Sequence, residues 1–379
     1  MLQTWVLAQL ADDGTLDPTF GSGGTVVFPP PAESETPVAF VLLADGSILA
    51  AGNVGAVGST TSSIQLRHLL ADGTLDPTFG SSGTVTTSFG GSDAAAAMVL
   101  QPDGAVVVAG STTPSLLDLT TQVQLIRYLG DGTLDPSFGT GGRVVTTFAE
   151  TRSSAEALAL QPDGALVAAG STTRIDEFPG PISLPTDQYP ILARYLPDGS
   201  LDPTFGSGGK VSTRFGTLGY TRFVTDTLET HVTLGSSISR LALQADGSIL
   251  VGGQFPVAGV VARYDPSGTL DPSFGKCAVL TTGFVNDVGA LLVQPDGKLV
   301  GAFGTPGDSE NPGGLLVARY GGAPAACRAA APGRASLTMK TAFPNAKFGF
   351  DRSKFAFKWV GTPGSTLADF GDPTSTACA

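Results

Sequence analysis

The chain has 379 residues, enough for two or three ordinary domains or for one large assembly of repeats. Charged residues make up only 14% of it, against about 25% in a typical globular protein. The 51 glycines and 27 prolines disfavour a helical bundle or coiled coil, and the 41% of hydrophobic residues disfavours disorder. The formal net charge of −12 opposes a sequence-independent grip on nucleic acid, so we expect no nucleic-acid partner.

The N-terminus and the cysteines carry little targeting information. Residues 1–10 lack a basic segment and are followed by two aspartates, which is unlike a signal peptide. We therefore expect either a cytoplasmic protein or a chain whose true N-terminus lies upstream. No apolar run of about 18 residues occurs, so we expect no membrane-spanning helix. Cys277, Cys327 and Cys378 lack zinc-binding spacing, and both a Cys327–Cys378 disulfide and free thiols are compatible with the sequence.

The informative feature is internal repetition. The hexad Leu-Asp-Pro-Ser/Thr-Phe-Gly occurs five times, and its successive aspartates are 59, 59, 67 and 69 residues apart. The hexad residues are Asp17, Asp76, Asp135, Asp202 and Asp271, with Phe20, Phe79, Phe138, Phe205 and Phe274. A second signal, Asp-Gly between two apolar runs, also occurs five times, at Asp45, Asp103, Asp163, Asp246 and Asp296.

Each unit is predicted to contain four short strands. In one unit, an apolar run from Ala95 ends at the turn Pro102-Asp103-Gly104 and a second apolar run follows at once, which predicts a hairpin. Gln122–Leu129 alternates polar and apolar residues, as a half-buried strand does, and Arg143–Phe148 forms the fourth strand. No segment shows a helical period. The pattern predicts an all-β fold, a β-propeller of four-stranded antiparallel blades.

The hexad residues have separate structural roles in this prediction. Its proline cannot continue a strand ladder, and the preceding aspartate can cap the backbone amides of the turn. Its phenylalanine is expected to form a wedge between blades, and its glycine permits a backbone angle that other residues avoid.

Counting strands predicts how the ring closes. Strands one, two and four each occur five times, whereas strand three occurs six times. The third strands are Val6–Leu10, Ile64–Leu70, Val123–Leu129, Ile191–Leu196, Val260–Tyr264 and Leu315–Tyr320. The simplest closure inserts the N-terminal strand, residues 24–28, as the fourth strand of the last blade and gives five blades. The surplus strand at the N-terminus would then be the remnant of an upstream blade in a truncated chain.

Three phrases, GTLDPSFGTGGRVVTTF, ALQPDGALVAAGSTT and ARYLPDGSLDPTFG, resemble the delta-60 repeat, a bacterial tandem repeat, over roughly residues 7–320. This resemblance implies a propeller and a protein that is exported or attached to the cell surface. It implies no catalytic residue, because the repeat has no established activity. The tail phrase KFAFKWVGTPGSTLADFGDPTST resembles the opening of a β-rich C-terminal module of secreted deltaproteobacterial proteins. We therefore divide the chain into a propeller (1–321), a linker (322–334) and a short β-rich tail (335–379), and the resemblance implies that the tail is truncated.

A basic residue recurs at one position of the third strand. This column, called here the basic column, consists of Gln9, His68, Arg127, Arg194, Arg263 and Arg319. It could form an anion-binding ring. Alternatively, each residue pairs with a hexad aspartate or a backbone carbonyl and holds neighbouring blades together, a role that suits the planar fork of arginine.

Cofactor and enzyme interpretations have less support. Acidic loops such as residues 11–17 could offer carboxylates to calcium, but Asp-Gly turns and Asp-Pro caps explain them without a metal, and we expect no cofactor. Only two histidines, His68 and His231, are present, which leaves little material for a histidine-based triad or metal site. A glycosidase-like pair of carboxylates is compatible with the sequence, because distant acids can meet in the fold.

Two insertions break the period, at Arg174–Tyr189 and Gly216–Ser236. Because binding residues favour loops, Tyr189, Tyr220 and His231 are candidate ligand contacts. The alternative interpretation, which the sequence favours over a binding site, is that the insertions are surface elaboration without function. The function predicted is that of a non-enzymatic scaffold or binding module for an unknown protein or glycan, and we expect a monomer. The alternative is a propeller hydrolase or lyase acting on carbohydrate or another polyanion through carboxylates of the insertions.

Overall fold

The computed structural model describes residues 5–28, 33–56, 59, 61–114, 120–149, 152–176, 184–214, 221–225, 228–232, 237–255, 258–275, 279–281, 288–304, 315–320, 338–339 and 355–356. All secondary-structure elements formed by these residues are β-strands. The strands are β1 (Trp5–Ala8), β2 (Thr25–Phe28), β3 (Glu33–Leu42), β4 (Ile48–Ala56), β5 (Ser63–Leu69), β6 (Thr84–Thr87), β7 (Ser92–Leu100), β8 (Val106–Thr113), β9 (Gln122–Tyr128), β10 (Arg143–Thr146), β11 (Arg152–Leu160), β12 (Leu166–Asp176), β13 (Leu184–Tyr195), β14 (Lys210–Ser212), β15 (Thr221–Thr225), β16 (Leu228–Val232), β17 (Ser237–Leu243), β18 (Ile249–Phe255), β19 (Ala258–Tyr264), β20 (Val279–Thr281), β21 (Val288–Val293), β22 (Leu299–Gly304), β23 (Leu315–Tyr320), β24 (Thr338–Met339) and β25 (Phe355–Ala356).

These strands form a series of antiparallel sheets. Four sheets have four strands each, in chain order: blade one (β3–β6), blade two (β7–β10), blade three (β11–β14) and blade four (β17–β20). Before them lies the two-stranded half-blade (β1–β2), and after them the three-stranded terminal sheet (β21–β23). The prediction of an all-β propeller fold with four-stranded antiparallel blades is confirmed.

The Asp-Gly turns set the register of the inner hairpins. In blade two, Asp103 Oδ1 accepts a hydrogen bond from the amide of Ala105 at 3.0 Å, and Gly104 has a φ of 85°, which a side chain would oppose. The strands then pair from Leu100↔Val106 outward. Each complete blade also carries a bulge in its first strand, between Ala95 and Ala97 in blade two.

The core lies between the sheets. One cluster joins the half-blade to blade one, three more join successive blades, and a fifth joins blade four to the terminal sheet. Small and branched residues dominate the second strands: Val107 and Ala109 face blade three, whereas Val106 and Val108 face blade one. A strand buried on both faces explains the continuous apolar runs in the sequence.

The fourth strands are shorter than predicted. β10 ends at Thr146 rather than at Phe148, because the threonine hydroxyl bonds a tyrosine of the next blade and the chain then leaves the ladder. The first insertion is an extension of the β12–β13 hairpin rather than only a longer loop, with Thr173 opposite Gln188 and Arg174 opposite Asp187. The second insertion contains the separate hairpin β15–β16.

The closure predicted from the sequence stays a prediction. In the described residues β2 pairs with β1, from Trp5↔Phe28 to Ala8↔Thr25, and β23 pairs with β22. The predicted linker and tail lie outside the described residues except for the paired strands β24 and β25. No helix in the described part of the chain could span a membrane.

Candidate functional site: the basic column and the joints between blades

Arg127 shows how the basic column is held. It lies in β9, where its Nε donates to Gln101 Oε1 at 2.6 Å. Its two terminal nitrogens form ion pairs with Asp135 of the hexad and with Asp103 of the β7–β8 turn. All three partners belong to blade two. The guanidinium therefore ties two loops of one blade to its third strand, and Nε and both terminal nitrogens all have partners.

The other members of the column have equivalent partners. The contacts are Arg194 with Asp163 (2.5 Å) and Asp202 (3.3 Å), Arg263 with Asp271 (2.5 Å), Arg319 with Asp296 (2.7 Å), and Gln9 with Asp17 (3.0 Å). The predicted pairing with hexad aspartates is thus present. The contacts are made within one blade, however, and do not join neighbouring blades as the prediction had it. An anion-binding role of the column stays a prediction.

The hexad aspartate caps the turn that follows it, as predicted. Asp135 Oδ1 accepts from the amide of Ser137 at 2.9 Å and from its hydroxyl at 2.7 Å. These bonds, together with the charge of Arg127, hold the pKa of Asp135 below its usual value. The pKa values of Asp76, Asp202 and Asp271 are lowered in the same way by the Ser or Thr two residues on. These carboxylates are ionised and already engaged.

His68 occupies the column position in blade one and produces an arrangement that looks like a catalytic triad. Its Nδ1 lies 2.9 Å from Asp76 Oδ2 and its Nε2 lies 3.0 Å from Ser47 Oγ. However, Ser47 is only 1% exposed, and its hydroxyl donates to Asp45 Oδ1 at 2.6 Å. A nucleophile must be reached by its substrate and must give its proton to the histidine. The geometry therefore indicates that His68 replaces arginine in a structural network.

The joints between blades use a tyrosine that follows the basic column. Tyr128 of blade two donates to Thr87 Oγ1 of blade one at 2.9 Å. The same bond joins Tyr195 to Thr146 and Tyr264 to Thr213. Burial raises the pKa of Tyr128 to about 12 and also raises the pKa values of Tyr195 and Tyr264. Sequence reasoning missed this joint, although a threonine at or next to the end of the fourth strands of blades one to three was its signal.

The hexad phenylalanine is the predicted wedge. Phe79 of blade one is 2% exposed and packs on Gly132 of blade two, where an added Cβ would lie 2.8 Å from Cζ of Phe79. The following amide, of Gly80, donates to the carbonyl of Asp131 at 3.2 Å. Equivalent contacts join Phe20 to Gly73, Phe138 to Gly199 and Phe205 to Gly268. The turn glycine after the third strand of each of blades one to four is thus the seat of the preceding wedge.

Two buried acids near the start of the first strands were not anticipated from the sequence. Glu35 of blade one pairs with Arg67 at 2.8 Å, and Asp93 of blade two pairs with Arg143 at 3.4 Å. Each guanidinium also lies over a phenylalanine of the preceding sheet: Arg67 over Phe28 at 4.7 Å, and Arg143 over Phe89 at 3.9 Å. The cations therefore neutralise an acid and strengthen a joint at the same time.

The residues of the insertions are not brought together as a site. Tyr189 is 5% exposed in β13, and the guanidinium of Arg214 lies 4.7 Å from the centre of its ring. The backbone of His231 pairs with Arg222 in the β15–β16 hairpin. Tyr220 lies outside the described residues. Among the residues that the structure describes, no three His, Cys, Asp or Glu side chains are grouped so as to hold a metal ion.

The repeated sheets and their common joints define a β-propeller repeat protein. The sequence model of a domain of unknown function (DUF5122), described as a beta-propeller, matches residues 43–79, 101–138, 186–205 and 244–274. Each match ends at or next to a hexad phenylalanine. No curated protein matches the chain.

Similar solved structures share little sequence with this chain. The endo-arabinase from Bacteroides thetaiotaomicron VPI-5482 is 12% identical with a TM-score of 0.36, covering 74% of this chain and 92% of its own. The GH43 endo-arabinanase from Bacillus licheniformis is 14% identical with a TM-score of 0.31, covering 70% and 77%. The acylaminoacyl peptidase from Pyrococcus horikoshii is 14% identical with a TM-score of 0.33, covering 80% and 46%. At these TM-scores the similarities carry no argument about activity.

Proposed function

We propose that this protein is a non-enzymatic propeller scaffold of the delta-60 repeat type that binds a protein or glycan at the cell surface or outside the cell. The observation that supports a scaffold is the engagement of the basic column. Its arginines pair with the hexad aspartates of the same blade in blades two, three and four. The location rests on the resemblance of the repeats.

Ligand binding is assigned to the features that differ from blade to blade. The extended hairpin β12–β13 and the hairpin β15–β16 are the two elaborations of the repeat among the described residues. Repeat proteins commonly position their binding residues on loops that vary between repeats, while the sheets form a rigid scaffold. We therefore place the ligand contacts on the far end of the β12–β13 hairpin.

The experiment compares catalysis and binding in one preparation. Wild-type protein is assayed for turnover of a panel of polysaccharides and for labelling by a fluorophosphonate probe of activated serines, with Ser47→Ala as the matched control. We expect no turnover, no labelling that depends on Ser47, and wild-type stability in His68→Arg, which restores the residue of the other blades. Turnover, or labelling lost in Ser47→Ala, would contradict the proposal.

Binding is tested on a glycan array and on immobilised surface proteins of bacteria. Removal of residues 175–186 should abolish the signal while leaving the melting temperature unchanged, because these residues add to a hairpin that is already complete. The control shortens the β4–β5 connection by residues 57–60, which should leave binding intact. Retention of binding by the first variant would exclude the hairpin as the ligand site.

A further inference from the structure

The terminal sheet exposes a face that is buried in every complete blade. Val317 in β23 is 60% exposed, as is Leu292 in β21. The residues equivalent to Val317, which are Leu66, Leu125 and Leu192, are 0% exposed because the next blade covers them. The alternate residues of the terminal sheet, Leu291 and Ala318, pack towards blade four. The exposed face therefore points to where a further blade would lie.

The opposite end of the stack has a complementary opening. Phe40 and Leu42 in β3 are 66% and 65% exposed. Met98, which is equivalent to Phe40, is 8% exposed and packs against the preceding blade. The half-blade covers the rest of this face of blade one, because its Phe28 packs with Ile48 and Ala50. Its two described strands correspond to strands three and four of a complete blade, and Phe40 and Leu42 in the innermost strand of blade one are exposed beside them.

Strands β1 and β23 hold equivalent positions in their sheets. Leu7 in β1 corresponds to Val317 in β23, and Leu7 packs on the cluster formed by Ile48 and Ala50. In the position beside β2, β1 makes weaker contacts than β23 would. Its column residue Gln9 is an uncharged donor to Asp17 where Arg319 makes an ion pair, and Leu10 is 62% exposed where Tyr128 is fully buried. β2, by contrast, makes a complete joint to blade one through Phe20 and Phe28.

We propose that the terminal sheet of one chain docks on blade one of a second copy, where its β23 replaces β1 beside β2. The three described strands of the sheet gain a fourth, and the first strand of the sheet covers Phe40 and Leu42. The register follows from the complete blades, where Thr84 pairs with Arg67. It places Ala318 of one copy opposite Thr25 of the other.

The occupant is assigned to a second copy because the two faces are complementary and both are exposed in the described part of the chain. The interface would continue one that this stack already contains between successive sheets. Such a head-to-tail contact is heterologous, and it generates a ring of chains or a filament. This departs from the monomer expected from the sequence, and from closure of the ring within one chain.

The test uses a background in which Cys277, Cys327 and Cys378 are serine. A chain with Thr25→Cys is mixed with a chain of different tag length carrying Ala318→Cys, and a short bis-maleimide is added. Opposed residues of antiparallel strands have Cβ atoms about 4.5–5.5 Å apart, so a crosslinked heterodimer is expected. Thr84→Cys, the same position in a complete blade, should give no product with Ala318→Cys.

A single chain with both Thr25→Cys and Ala318→Cys shows whether the docked terminal sheet comes from a second copy or from the same chain. A ladder of dimers and larger species is expected. A crosslinked product that migrates as a monomer, or no product, would overturn the proposal. Sedimentation provides a second readout, in which Phe40→Glu should weaken association at least about tenfold because a charge enters the apolar contact. Val145→Glu, at an exposed valine of blade two, should leave association unchanged.

Discussion

Each hexad aspartate performs two tasks that the chain keeps together. One oxygen of Asp135 accepts both hydrogen bonds of Ser137, and the other pairs with Arg127. The side chain is 7% exposed, so an unpaired charge there would be costly. Sequence reasoning predicted the cap because Asp-Pro turns have a known local chemistry. It left the arginine open, because its partners Asp103 and Gln101 lie 24 and 26 residues away.

Acid should destabilise the protein through these aspartates. The pKa of Asp135 is lower in the folded chain than its unfolded value of about 3.9, so its contribution is complete above that pH and is lost as the pH falls through the folded pKa. The melting temperature of wild-type protein should fall steeply below about pH 4. Asp135→Asn should start lower at neutral pH and lose less on acidification.

The control for this titration is Asp12→Asn, which changes an exposed aspartate outside the hexads. Its profile should run parallel to that of the wild type between pH 7 and pH 2.5. If Asp135→Asn also runs parallel to the wild type, the capped aspartates do not cause the acid sensitivity.

The contacts between successive sheets vary less from one to the next than the hairpin lengths of the sheets themselves. A tyrosine–threonine bond and a phenylalanine wedge recur at successive joints. The first joint differs, because Leu69 and Phe28 stand in place of tyrosine and threonine and share one apolar cluster. A polar pair has thus been exchanged for an apolar pair at the same position.

That natural exchange predicts a compensated double substitution. Tyr128→Phe should cost about 1–2 kcal/mol, because the hydroxyl of Thr87 loses its buried donor. Adding Thr87→Val should restore most of the loss, since removing both partners of a buried hydrogen bond is nearly neutral. Chemical denaturation measures both. A double variant less stable than the sum of the two single variants would contradict this view of the joint.

The wedge is expected to contribute more than the hydrogen bond. Phe138 is 0% exposed between blades two and three. Phe138→Ala should therefore cost about 3–5 kcal/mol, the usual range for an aromatic side chain in a core. Val145→Ala, at a position 42% exposed, should change stability by less than about 0.5 kcal/mol. Equal effects of the two substitutions would show that the joint is not a packed interface.

Local signals predicted the blades well, and the joints poorly. Asp-Gly turns and alternating residues located every strand of blade two, because turn chemistry and side-chain period act within a few residues. The joints connect residues that are 41 to 51 positions apart, as Tyr128 and Thr87 are, so no local pattern marks them. The extension of β12–β13 was interpreted as a loop because residues 174–189 contain three prolines and no clean alternation.

Across the whole molecule, successive sheets pack through the same kind of interface. The polar residues that recur among the repeats form contacts within the blades and between them. The arginines of the basic column, which stays a candidate anion-binding ring, pair with aspartates of the same blades. The ends of the stack are the exception, because apolar residues buried elsewhere are open there. Sequence counting located this mismatch through the surplus third strand and predicted that β2 completes the last sheet, whereas in the described residues β2 pairs with β1.

Thermal unfolding of Arg194→Met in the presence and absence of polyphosphate tests the central claim most directly. Loss of Arg194 leaves Asp202 without its buried partner and should cost about 1–3 kcal/mol, while polyphosphate should shift neither protein. Arg319→Met, at a side chain 54% exposed, should cost at most about 1 kcal/mol. The central claim is contradicted if Arg194→Met has the melting temperature of the wild type, and if polyphosphate raises the melting temperature of the wild type but not that of the variant.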